Sequence, residues 1–252
     1  MQGQRMNWQH WQVSSERLEQ LLRRTEAMRP LLRRALEEEI TTLVNLPAER
    51  LAELHQLFRE QHQLADESAE ADCLEQRSWT PDDLQMHLAR PEALNCFAQQ
   101  RFGPGLEDTF LQRKNDLDTV VYSLLRVQDH GLARELWIQL SEGEITFAEA
   151  ASRHSDGPEA TTKGVIGPVA LGQLQPELAE RLRSLRQGDL REPMQAGPWW
   201  VLLRLEQLTP AKLDEPMRQR LLQEQLSAWL EQRCDAVLRG DSPDPLHYDQ
   251  PL

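Results

Sequence analysis

Few side chains in this 252-residue chain are placed to do chemistry. The seven histidines are scattered without ligand spacing, and Cys73, Cys96 and Cys234 are an odd number with no paired spacing. Neither a metal site nor a disulfide framework is expected. Phosphate-loop and nucleophile-elbow patterns are missing as well, and no cofactor is expected. Two places remain. In the first, the polar side chains of His154 and Asp156 stand beside the turn Ser155-Asp156-Gly157-Pro158. His154 also has a plainer account, as a helix-end histidine interacting favourably with the helix dipole. The second is the pair Trp199-Trp200. Tryptophan buries a large area and offers one donor, so beside a groove it can hold an apolar or proline-containing peptide. Strand neighbours point to opposite faces, so at most one of the two faces such a groove and the other fills core.

The elements that must position these residues follow from local pattern. Thr119 to Leu125 is β-branched and apolar, as a strand buried on both faces would be. Asp129 caps a helix with Leu132, Leu136 and Leu140 on one side, and Gly143 ends it. A short helix with Phe147, Ala148 and Ala151 on its apolar face follows. Gly164 to Val169 suits a β segment, and Leu174, Leu178, Leu182 and Leu185 give another helix, stopped by Gly188. Leu190 to Ala196 and Trp199 to Leu205 are two further strands around a Gly197-Pro198 turn. The predicted order is strand, helix, helix, strand, helix, strand, strand.

That order in about ninety residues resembles the parvulin-type (PpiC, rotamase) prolyl isomerase fold. The resemblance extends to positions: Phe147, Ala151 and Ser155; Gly164-Val165-Ile166-Gly167; Gly172-Gln173-Leu174; Gly188 to Met194; and Trp200 to Arg204. It implies a peptidyl-prolyl cis-trans isomerase activity. Family members twist the prolyl amide in an apolar pocket beside a polar network. The network comprises a first-strand histidine, a cysteine or aspartate two residues after the loop serine, and a last-strand histidine. Here those positions hold Ser123, Gly157 and Trp200, with His154 and Asp156 as substitutes close by. The family's methionine and phenylalanine pocket positions carry Leu174 and Leu178. The resemblance thus implies a substrate surface of Leu174, Leu178, Trp200 and Ser123 with a degenerate catalytic set.

The flanks read as helices. Ser14 to about Leu117 carries Leu18, Leu21 and Leu22, then an apolar set after Pro30, then another after Pro47. Thr80-Pro81 starts a helix, Pro91 is expected to open the next, and Asp66 to Asp72 reads as a solvated acidic connection. A long amphipathic helix is expected over Lys212 to Leu238. Helices on both sides of the domain resemble the SurA and PpiC group of chaperone isomerases. The expected organisation is an N-terminal helical module over 1–115 and a parvulin-like domain over 116–208. A C-terminal helix over 209–240 packs on the module, and a disordered tail covers 241–252. The fold class is α+β: a four-stranded sheet with surrounding helices, plus an all-helical module.

A net charge of −13 argues against nucleic acid, which calls for a basic face. No stretch approaches the ~20 apolar residues of a membrane span. Met1 to Trp8 has no apolar leader core, from which a cytoplasmic setting is expected unless the native start lies upstream. The expected partner is an unfolded or proline-containing polypeptide client, held with weak or no turnover. The alternatives are an active isomerase with an altered site and a helical adaptor.

Overall fold

The computed structural model describes residues 14–249. In chain order, six helices come first: α1 (Ser15–Arg24), α2 (Met28–Val44), α3 (Ala48–Gln61), α4 (Glu67–Arg77), α5 (Pro81–Phe102) and α6 (Leu106–Leu117). The strand β1 (Thr119–Val127) leads into α7 (His130–Glu142), α8 (Phe147–His154) and β2 (Val165–Ala170). Then follow α9 (Pro176–Arg183), β3 (Met194–Ala196), β4 (Trp199–Thr209) and α10 (Glu215–Leu238). The chain divides into a helical unit, up to Leu106 and from Glu215, and a sheet unit, Glu107–Asp214.

In the helical unit α5 is central, packed by α2, α3 and α10. The last helix, too apolar along one stripe to stand alone, buries Leu221, Leu222, Leu226 and Leu230. It is tied to α2 by Arg29 to Glu231 (2.9 Å) and Asp235 (2.5 Å) and by Arg33 to Glu231 (2.7 Å). The helical module is therefore built from both ends of the chain.

Several boundaries differ from expectation. The acidic run is a helix, α4, because Asp66 caps it by accepting from Ala69 N (2.8 Å) and Cys73 and Leu74 anchor it in a core with Phe58 and Leu84. Pro91 opens no new helix: α5 runs through it, with the ring on the exposed side. The last helix starts at Glu215 rather than Lys212. The third predicted strand shrinks to Met194–Ala196, since Pro193 cannot donate to a ladder; upstream only Leu190 bridges to Arg204. α6, expected with the helical module, groups with the sheet unit, where Arg183 bonds to Asn115 O and Asp116 Oδ1. The tail from Asp241 has no regular structure up to Asp249, yet Arg233 reaches Asp244 O and Gln100 pairs with the Asp249 backbone.

The sheet is antiparallel with order β2-β1-β4-β3. Both faces of β1 are covered. Tyr122 and Leu124 pack with Val201, Leu203 and Leu205 beneath Leu171, Ala179 and Leu182. Leu125, Val127 and Leu202 pack on the opposite side against Ala133, Leu136, Phe147 and Ala151 of α7 and α8. The registers of β1 with both neighbours shift between Val120 and Tyr122. On the β2 side the irregularity falls at Gly167, whose φ of +117° and whose space suit glycine alone: a Cβ would meet Val120 O at 2.5 Å.

Candidate functional site

The strand period of two decides which candidate residues can meet. Leu174, just ahead of α9, and Leu178, in its first turn, pack against the sheet face that carries Tyr122 and Leu124. Ile166, Met194 and Trp199 edge the same face, each partly buried. Trp200 lies on the other face, where it packs, like Leu132 and Trp137 of α7, against the buried cluster of Leu136, Phe147 and Leu202, and its ring meets that of His130 at 4.1 Å between centroids.

Ser123 also lies on that second face, pairing with Arg204 across the ladder. It is 1% exposed, and its hydroxyl donates to the Glu206 carboxylate, which Arg204 Nε also holds at 2.8 Å. The structure therefore brings Leu174 and Leu178 together and places Ser123 and Trp200 through the sheet from them. A one-residue change of phase moves a side chain to the other face. The residues one position earlier, Tyr122 and Trp199, are the ones that share a face with the two leucines.

The loop after α8 is organised by residues that sequence reasoning did not select. Arg126, at the polar end of β1, forms a bidentate ion pair with Glu159, Nε to Oε1 at 2.8 Å and Nη2 to Oε2 at 2.9 Å. Ser155 Oγ donates to Glu159 Oε1 at 2.7 Å, and Arg126 N donates to Ser155 Oγ at 3.1 Å. The Glu159 side chain is 1% exposed. Burial by itself would raise its pKa, but hydrogen bonds from Arg126 and Ser155 together outweigh that and hold it below the usual carboxylate range. The signal for this pair was an arginine in an otherwise apolar strand, which needs a partner when the strand is covered.

Gly157 belongs to this packing. A Cβ there would run into the Glu159 carboxylate and come within 2.5 Å of Arg126 Nε. The family's acid or thiol position is thus filled by the buried ion pair's own atoms. Asp156 is exposed and its N–H donates to Arg126 O at 2.9 Å, while His154 ends α8, half-buried.

What this arrangement can do is limited. On the Leu174 and Leu178 face the polar neighbour is Tyr122, a 4% exposed phenol whose pKa burial pushes up and whose ionisation the nearby Glu159 further opposes, against Arg126. It stays protonated at neutral pH and so can donate a hydrogen bond but not take a proton. The Arg126 and Glu159 charges satisfy each other. The site offers apolar contact, aromatic edge and one phenol.

A family model described as the PPIC-type PPIASE domain matches residues 127–207, starting at the last residue of β1. Among curated proteins, Chaperone SurA of Nitrosococcus oceani is 30% identical over 128 residues, 44% of this chain and 30% of that protein. The putative peptidyl-prolyl cis-trans isomerase NifM of Klebsiella pneumoniae is 33% identical over 107 residues, 38% of this chain and 40% of that protein. The matched stretch thus spans well under half the length of either relative. The crystal structure of the peptidylprolyl isomerase PrsA from Bacillus cereus aligns with a TM-score of 0.49 at 17% identity, over 92% of this chain and 90% of that one. By sequence, and with a four-stranded antiparallel sheet covered on both faces by helices, this chain carries a parvulin-type PpiC domain between helical flanks.

Proposed function

We propose that this protein binds unfolded or proline-containing polypeptide as a chaperone, with weak or no isomerase turnover. One observation carries the reading: the three family positions for catalytic polar groups serve structure, while apolar side chains stay partly accessible on the α9 face. Ser123 is sealed against Glu206, Gly157 makes room for the Arg126 and Glu159 pair, and Trp200 packs on α7. Leu174, Leu178, Met194 and Trp199 keep open surface. Lowering a rotation barrier of ~18–20 kcal/mol calls for polar assistance that this face supplies only through Tyr122. A cytoplasmic setting is part of the reading, supported by three free thiols; cell fractionation tests it.

Two measurements test the function. Exchange spectroscopy on Xaa-Pro peptides should show little or no catalysed cis-trans exchange, and fluorescence titration should show modest affinity for extended apolar peptides, reduced in Leu178→Asp. Turnover equal to that of an intact parvulin would instead favour the active isomerase, with Tyr122 as its polar group. Equal affinity of wild type and Leu178→Asp would remove the α9 face from the account and favour the helical adaptor.

A further inference from the structure

At the free edge of the sheet, beside β3, two adjoining concavities of about 570 and 140 Å³ share Trp137, Glu192 and Pro193. Their rim carries Arg134, Arg181 and Arg191. In a chain of net charge −13 many arginines are occupied: Arg29, Arg33, Arg50, Arg126, Arg183 and Arg204 are among those that pair with carboxylates. The three rim arginines are exposed and make no ion pair among the described residues, although they come from α7, α9 and the segment before β3. Glu192 is the one carboxylate in the lining of either concavity. The lining is mixed: Trp137, Leu190, Pro193 and Met194 stand in it beside Gln195 and the charged side chains.

We propose that this edge is a second peptide subsite, selecting extended client segments that carry Asp or Glu beside an apolar residue. Charge complementarity argues for the acid: Arg181 and Arg191 on one concavity and Arg134 on the adjoining one, against the single carboxylate Glu192, favour carboxylates, through charge-assisted and often bidentate hydrogen bonds. The openness of the depression and the ring, proline and methionine in its lining argue for a polypeptide rather than a free anion. The inference rests on the client-binding reading and adds a charge preference to it.

The test titrates full-length protein with two fluorescent peptides, one with two Asp residues flanking Phe and one with Asn in their place. Wild type should prefer the acidic peptide at low salt and lose that preference as the Debye length shortens from about 30 Å at 0.01 M to about 3 Å at 1 M. Arg134→Gln, Arg181→Gln and Arg191→Gln combined should weaken acidic-peptide binding by about tenfold and leave the neutral peptide unchanged, which also shows that the variant is folded. Leu178→Ser, which removes apolar contact on the α9 face without adding a carboxylate three residues from Arg181, should weaken the neutral peptide and retain the arginine-dependent share of acidic binding. Equal binding of both peptides to wild type and to the triple variant would overturn the subsite while leaving the chaperone reading intact. Absence of binding by either peptide would defeat both. Full displacement of the acidic peptide by equimolar inorganic phosphate would overturn it too, since a generic anion site would then suffice.

Discussion

Replacing Glu159 by Gln should unfold the loop between α8 and β2 before it disturbs anything else in the chain. The carboxylate accepts three hydrogen bonds, from Arg126 Nε, Arg126 Nη2 and Ser155 Oγ, at 2.7 to 2.9 Å, and is 1% exposed. Breaking a buried pair costs ~3–5 kcal/mol. Arg126, with a side chain 32% exposed, can be partly solvated in the variant, so the lower end applies, about 3 kcal/mol. In a domain of this size that corresponds to a fall in midpoint of roughly 12 °C or more. Arg126→Met should cost more than Glu159→Gln, because it strands a carboxylate that water cannot reach. The pH dependence has a fixed sign. The folded pKa of Glu159 lies below the ordinary 4.5, so its stabilisation is fully present above that value and disappears as pH falls through the folded pKa. The gap between wild type and Glu159→Gln should therefore be constant from pH 7 to about 5 and narrow progressively as pH falls below the ordinary carboxylate value. Amide exchange gives a reading confined to the sheet unit: Gly164 N donates to Glu159 O at 2.8 Å and Leu124 N to Gly164 O at 2.9 Å. A variant whose Gly164 and Leu124 amides stay as protected as in wild type at pH 7 would refute the reasoning, as would a gap that persists unchanged at pH 3.

Three other outcomes follow from the packing. Gly157→Asp, which restores a family acid, should lower the soluble yield and the unfolding midpoint rather than raise isomerase activity, because the new side chain occupies the space of the Glu159 carboxylate. Trp200→Ala should destabilise the sheet unit by about 3 kcal/mol, the low end for a partly buried Trp, with peptide affinity unchanged, whereas Trp199→Ala should weaken peptide binding; titration and thermal melts separate the two. Asp66→Ala should cost about 1 kcal/mol and speed exchange of the Ala69 amide, since that carboxylate caps α4.

The helices were legible because their signals are local. The caps at Thr80 and Asp129 and the stop at Gly143 depend on a few neighbouring residues, and both caps accept from a backbone N–H three residues on; the stop expected at Gly188 fails, since α9 ends at Arg183 with Ser184 as its cap. Where sequence reading went astray, the missing information was non-local. Asp66 to Asp72 lacks an apolar stripe of its own, and its helix is set by a cap and by two side chains that meet Phe58 and Leu84. The phase of β1 was unreadable for a related reason. From Tyr122 to Leu125 every residue is buried, so the alternation that assigns faces in a half-exposed strand carries no contrast, and Ser123 and Tyr122 could not be told apart by pattern. Register with β4 settles it, through the pairing of Ser123 with Arg204 and of Val127 with Trp200.

The same non-locality explains the polar groups. Arg126 and Glu159 are 33 residues apart, and nothing near either one announces the other. Once they are paired, the loop that in relatives presents a catalytic side chain is here closed around an internal ion pair, with Ser155 as its third member and Gly157 as the clearance it needs. A single substitution cannot reopen that loop for catalysis, because an acid at Gly157 would stand against a carboxylate already in place, and removing that carboxylate leaves Arg126 unpaired. At Gly157, the missing family acid or thiol and the room for the buried pair are thus one structural feature. The face with Leu174, Leu178 and Trp199 is left with apolar surface, an aromatic edge and the Tyr122 phenol.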